Sequence, residues 1–219
     1  MMYLRQKTDI INMCKKMQDM GYFLGTWGNI SLREGDHIIL TPSRINYDEI
    51  TPEDMVVIRL DGTKVEGDRL PTSEKEVHRQ IYIEREDICA IIHAHTPKAM
   101  AVSAMNIREV PCMVEEMSQM LGGAIPLTEA YINAEQHALL GVAAGRAIGN
   151  KSGVILKNHG PVACGKTLGD AELTAIVMEK ACSIYLSLCG ASKISEIPQK
   201  YIESERYRFV NTYGKEKNL

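Results

Sequence analysis

The sequence predicts an α/β chain whose sheet contains antiparallel pairs, and three observations carry that prediction. Apolar runs of strand length alternate with helix-length amphipathic patterns along all 219 residues, with no linker between them, so the chain reads as one domain spanning 1–219. Two pairs of strand-like runs are joined by connections too short for a crossover, which forces antiparallel pairing and is unlike a doubly wound parallel sheet. A 45% hydrophobic content is enough for a sizeable core in a chain of this length.

The elements follow in order. An amphipathic helix runs to about Met20 with a stripe of Ile10, Cys14 and Met17, and Gly21 serves as its C-terminal cap. Gly25-Thr26-Trp27-Gly28-Asn29-Ile30-Ser31 is a glycine-punctuated loop entering a short strand, and Glu34-Gly35-Asp36 turns the chain back through His37 to Thr41, where Pro42 stops it. A second hairpin is written as Met55 to Leu60, Asp61-Gly62, and Thr63 to Glu66. A helix begins within Pro71 to His78, where Ser73 and Glu76 have capping-box spacing; the same helix start offers N–H groups and hydroxyls to a phosphate, and both readings stand at this point. Ile88 to Ile92 is a buried strand, after which Thr96 and Pro97 open a helix through Met100, Val102 and Met105.

Val110-Pro111 starts an irregular stretch that holds Glu115 and Glu116 and ends at Gly122-Gly123. Adjacent carboxylates of this kind ordinarily form a solvated surface. A helix from about 134 to Ile148 is capped by Asn133 and ended by Gly149, and a strand from Gly153 to Lys157 returns as Pro161 to Gly165. Thr167 caps the longest helix, to about Leu188, whose breadth of apolar surface predicts burial on several sides. The charged tail through Phe209, Tyr213 and Lys215 reads as a mobile terminus.

Composition excludes several classes. With 25 basic against 28 acidic residues the net charge is −3, too balanced for a nucleic-acid or membrane-surface protein that depends on a basic field. The six cysteines show no Cys-x-x-Cys pairing, no signal peptide precedes them, and most lie in apolar runs, so they read as reduced core thiols of a cytoplasmic protein. Glu172, Glu179 and Lys180 rule the longest helix out as a membrane span.

The chemistry centres on Ile91-Ile92-His93-Ala94-His95. Side chains alternate along a strand, so His93 and His95 face one side and can reach one point, as a metal ion requires. Zinc takes imidazole nitrogens at roughly 2.0–2.1 Å, and a catalytic site combines three protein ligands with an open position. A third histidine, His159, follows another strand-like run, whereas His78 and His137 fall within helices and read as surface or packing residues.

The ordered motifs Gly25-Thr26-x-Gly28-Asn29-x-Ser31, Thr41-Pro42-Ser43, Pro71-Thr72-Ser73-Glu74, His93-x-His95, Asn158-His159-Gly160 and Thr212-Tyr213-Gly214 resemble the class II aldolase and adducin-head family across nearly the whole chain. The resemblance implies a three-layer fold with a central, mainly antiparallel sheet flanked by helices. It also implies a zinc-dependent homotetramer with sites between subunits. His93, His95 and His159 would hold the Zn2+ ion, one per subunit. Glu74 would be the catalytic acid/base, Asn29, Ser43, Thr72 and Ser73 would hold the substrate phosphate, and Tyr213 would donate a proton at a neighbouring subunit's site. The implied reaction is reversible cleavage of a ketose 1-phosphate, L-fuculose 1-phosphate or a related pentulose or deoxy-pentulose 1-phosphate, into dihydroxyacetone phosphate and a small aldehyde.

Two positions depart from the family's fuculose-phosphate aldolases. Arg44 follows Ser43 where those enzymes have glycine, adding a charge at the expected phosphate site. Glu116 stands where a tyrosine is expected before the double glycine. By resemblance, an acidic residue in this region serves the family's pentulose-phosphate 4-epimerases and methylthioribulose-1-phosphate dehydratases. Glu116 is therefore a candidate acid/base, and such an enzyme is the alternative reading.

Overall fold

A computed structural model of the protein describes residues 1–191 and 193–214. Lys215 of the expected tail, and positions 216–219 of the expected domain, lie outside the described residues. A seven-stranded sheet is built from β1 (Asn29–Glu34), β2 (His37–Leu40), β3 (Val56–Arg59), β4 (Lys64–Glu66), β5 (Ala90–His93), β8 (Gly153–Leu156) and β9 (Gly160–Gly165). Its order is β4-β3-β2-β1-β5-β9-β8, and every paired neighbour is antiparallel, as expected for the central sheet. The short strands β6 (Glu109–Val110) and β7 (Ile125–Pro126) pair separately.

The strands sort their side chains between two helical layers. Along β5, Ile91 packs with Val77 and Ile81 of α2 (Lys75–Glu84) and Leu140 of α4 (His137–Ile148). Its neighbours Ala90 and Ile92 pack on the opposite face with Ile10, Cys14 and Met17 of α1 (Leu4–Asp19). On α1's side, Ile155 and Ala163 meet α3 (Pro97–Ser103) and α5 (Leu168–Ser187), with Ala99, Met178 and Cys182 at the contact. Thr167 caps α5 with a full capping box to Asp170. No helix among the described residues is long and apolar enough to cross a membrane.

Three expectations need correction. The Ser73–Glu76 capping box does not form: Ser73 is exposed, Glu76 turns to Arg79 at 2.8 Å, and the Thr72 hydroxyl takes the Glu74 N–H at 3.3 Å. The tail is α6 (Gln199–Asn211), anchored by Ile202 in the core and by Arg206, which donates to the Gln119 and Met120 carbonyls. Its polar sequence hides one buried anchor, Ile202, flanked by the half-buried Phe209 and Arg206. The irregular stretch holds a π-helical turn, Met117–Leu121, against which α6 packs.

Candidate metal centre and active site

The site forms where β5 ends, beside the start of α2 and the β8–β9 hairpin. His93 is the last residue of β5 and shares the α2 face with Ile91, while His95 lies two residues beyond, past the strand. Leu156 pairs with Gly160 across the hairpin, so Asn158 and His159 form its tip, with Asn158 in the left-handed region at φ 54°. Gly160 is required there by close approach, since a Cβ would stand 2.6 Å from the Ala94 carbonyl oxygen.

The three imidazoles converge. Their ring centroids are 4.8–5.1 Å apart, with planes 75–79° to one another, and one ligand atom each from Glu74, His93, His95 and His159 lie within 4.8 Å of one another. Glu74 brings Oε1 to 2.8 Å from His159 Nε2 and Oε2 to 3.1 Å from His93 Nε2. The donor set fits a divalent cation, and the hydrogen bond behind His93 tests the fit. Its Nδ1 stands 2.9 Å from the Pro161 carbonyl, which can only accept, so Nδ1 carries the proton. Nε2 then presents a lone pair toward a carboxylate oxygen that is itself an acceptor. A cation between them resolves that opposition.

Electrostatics agree with a ligand set. Burial pushes the His93 imidazole down to about 3 and lowers His95 as well, so both are neutral donors at neutral pH. Burial works to raise the Glu74 carboxyl, yet the hydrogen bonds from His159 and the Asn29 amide outweigh it and hold the group below the usual carboxylate range.

A cavity of about 670 Å³ opens beside this cluster, and His95, Glu74, Asn29, Ser43, Thr72 and Ser73 all line it. Two loops make its polar wall: Pro42 and Pro71 bridge, Ser43 N–H donates to the Leu70 carbonyl, and Thr72 N–H donates to the Thr41 carbonyl. Arg44 also lines it, exposed and held at φ 55°.

Residues 8–186 match the Class II Aldolase and Adducin N-terminal domain family. The chain belongs to that family. It is 35% identical over 181 residues to an L-fuculose phosphate aldolase of Methanocaldococcus jannaschii, covering 82% of this chain and 95% of that one. It is 31% identical to a 5-deoxy-D-ribulose 1-phosphate aldolase of Bacillus thuringiensis serovar kurstaki, covering 99% and 100%. A solved L-fuculose 1-phosphate aldolase superposes with a TM-score of 0.88 at 29% identity, covering 94% of this chain and 96% of that one. These relatives are named aldolases, and this class II family member is accordingly a carbon–carbon lyase.

Two expected site residues of this class II chain stand apart from the cluster within the single copy. Glu116 pairs with Lys180 at 2.5 Å and is half-exposed, and it is in neither the imidazole cluster nor the cavity wall. Tyr213 follows α6, exposed and stacked on Phe209 with centroids 5.6 Å apart. Three residues that sequence reasoning passed over do belong to the site. Trp27 stacks parallel to His95, at 6.4 Å and an angle of 4°, and Arg69 lines the cavity while bonded to Asp54. His78, read as a surface or packing residue, is fully buried and holds Asn29, its Nε2 lying 2.5 Å from Oδ1. The four-residue spacing from Glu74 to His78 was the signal available, since it puts both on one helix face.

Proposed function

We propose that the protein is a zinc-dependent aldolase that reversibly cleaves a ketose 1-phosphate into dihydroxyacetone phosphate and a small aldehyde. The observation that carries this reading is the convergence of the Glu74 carboxylate with three imidazoles beside a hydroxyl-lined cavity. His93, His95 and His159 would hold the metal, which when bound supplies positive charge where carbon–carbon cleavage leaves negative charge.

The remaining chemistry belongs to the chain's own residues. In condensation Glu74, ionised at neutral pH, takes a proton from C3 of dihydroxyacetone phosphate. The electron pair left on C3 forms the C3–C4 bond to the aldehyde, and Tyr213 of a neighbouring copy gives a proton to the new C4 oxygen. Cleavage reverses each transfer. Asn29, Ser43, Thr72 and Ser73 hold the phosphate, with Arg44 adding a guanidinium, and so fix the reacting carbons against Glu74. The exposure of Tyr213 supports its action at another copy's site, as sites between the subunits of a homotetramer of single-domain chains would require. Free cysteines at all six positions agree with a cytoplasmic setting. L-Fuculose 1-phosphate and 5-deoxyribulose 1-phosphate are the first substrates to test, since relatives are named for acting on them.

The test is a screen of phosphorylated ketoses with zinc-loaded protein, reading release of dihydroxyacetone phosphate, followed by chelation and zinc add-back. Activity that disappears with the chelator and returns with zinc is expected. Isomerised sugar phosphate without free aldehyde, or water loss without carbon–carbon cleavage, would overturn the aldolase reading in favour of chemistry through Glu116.

A further inference from the structure

The site continues inward along a row of side chains. On one face of α2 and the residue before it, Glu74, His78 and Tyr82 recur every four residues, and on the facing side of β1 Asn29 and Ser31 stand two apart. Four helical residues advance about 6 Å and two strand residues about 6.6 Å, so the two rows interdigitate without slipping. Asn29 Nδ2 donates to Glu74 Oε2 at 2.7 Å. His78 Nε2 lies 2.5 Å from Asn29 Oδ1, Ser31 Oγ 2.7 Å from His78 Nδ1, and the Tyr82 hydroxyl 2.8 Å from Ser31 Oγ.

Donor and acceptor chemistry orders the whole row. An ionised carboxylate only accepts, so Asn29 must turn its amide nitrogen toward Glu74 and its oxygen toward His78. His78 Nε2 must then carry the hydrogen, which leaves Nδ1 to accept from the Ser31 hydroxyl, whose oxygen in turn accepts from Tyr82. Each hydrogen shared within the row points toward Glu74, and the Tyr82 hydroxyl also lies 3.2 Å from the Ser31 carbonyl. His78, Ser31 and Tyr82 are buried, and burial keeps the His78 imidazole neutral by pushing it down to about 4. None of these three touches the cavity, so their influence must pass through Asn29.

We infer that His78 is a positioning residue, which fixes the Asn29 amide so that one of its hydrogens anchors the Glu74 carboxylate and the other is presented to the substrate. Without the Nε2–H donor the amide can rotate, and both the proton-transfer group and the cavity wall lose their alignment together. Ser31 and Tyr82 extend the effect by holding His78 in the one tautomer that serves.

The kinetic half of the test rests on the aldolase reading, and the spectroscopic half does not. In zinc-loaded protein carrying 15N-labelled histidine, long-range 15N–1H correlation, assigned by the signal missing in His78→Gln, is expected to show a neutral His78 protonated on Nε2. A proton on Nδ1 would overturn the inference. For dihydroxyacetone phosphate release, His78→Leu is expected to lower kcat by about 10- to 100-fold while bound zinc stays at the wild-type level. His78→Gln, which keeps a donor to Asn29, should recover most of that loss. Equal losses in the two variants would reduce His78 to a packing residue and overturn the inference too. If wild-type protein releases no dihydroxyacetone phosphate from any ketose phosphate, the aldolase reading falls, and the tautomer still decides the role of His78.

Discussion

Asn29 stands directly opposite His93 in the antiparallel register of β1 and β5. Both point to the α2 face, so one strand pair delivers an imidazole for a metal and an amide for the Glu74 carboxylate to the same place. A one-residue slip of either strand would turn its own residue to the α1 side and part the pair.

Glu74→Gln keeps the shape of the side chain and removes its basicity. If Glu74 moves the proton at C3, kcat should fall about 100- to 10,000-fold, with zinc still bound through the three histidines. Assay of aldehyde release beside metal analysis of the same sample checks this, and full activity in the variant would remove Glu74 from the reaction.

Arg44→Gly should push stability and binding in opposite directions. Arg44 sits at φ 55°, where a side chain costs about 1 kcal/mol that glycine avoids. The variant is therefore expected to be more stable by about that amount in urea unfolding. Loss of a guanidinium from the cavity wall should raise KM for the phosphorylated ketose by about 10-fold. An unchanged KM would show that Arg44 does not meet the phosphate.

Gly141 lets α4 lie directly on α2. A Cβ there would stand 2.4 Å from the Glu76 carbonyl oxygen, two residues beyond Glu74. Alanine gains up to about 1 kcal/mol in helix propensity, but forcing the helices apart costs about 1–3 kcal/mol. Gly141→Ala should be net destabilising by urea midpoint, and a rise in the midpoint would show that the two helices separate freely.

Acid should weaken the fold through His78. Its folded value of about 4 lies below the ordinary 6.5, because burial disfavours the charged ring. As pH falls below 6.5 the unfolded chain takes up a proton that the folded chain refuses. Stability present above pH 6.5 is thus lost toward pH 4, by on the order of 3 kcal/mol for this group. The depressed Glu74 carboxyl adds its loss only below its ordinary 4.5. Between pH 7 and 4.5, metal-free His78→Gln should lose clearly less stability than wild type in urea titrations. Identical losses would contradict the buried neutral state.

Local rules made much of the molecule legible. The Asp61-Gly62 and Gly35-Asp36 turns announced their hairpins, and Pro97 and Thr167 announced helix starts, because each acts through neighbours a few residues away. His93 and His95 were readable as a pair from strand periodicity, although His95 lies beyond the strand end. The Ser73–Glu76 cap was misread because Arg79 takes the Glu76 carboxylate, while the Thr72 hydroxyl, one residue earlier, turns to the Glu74 N–H. The tail was misread because a single buried isoleucine and one arginine anchor α6, too few to create a periodic signal.

By itself the sequence determined the order of elements, the antiparallel hairpins and the residue types of a metal centre, since these depend on spacing along the chain. Only the tertiary structure decided which residues meet. His159 and Glu74 join His93 through strand order and hairpin placement, and His78 belongs to the site because β1 brings Asn29 against it. Contacts between residues tens of positions apart are set by register and packing, which no local pattern contains.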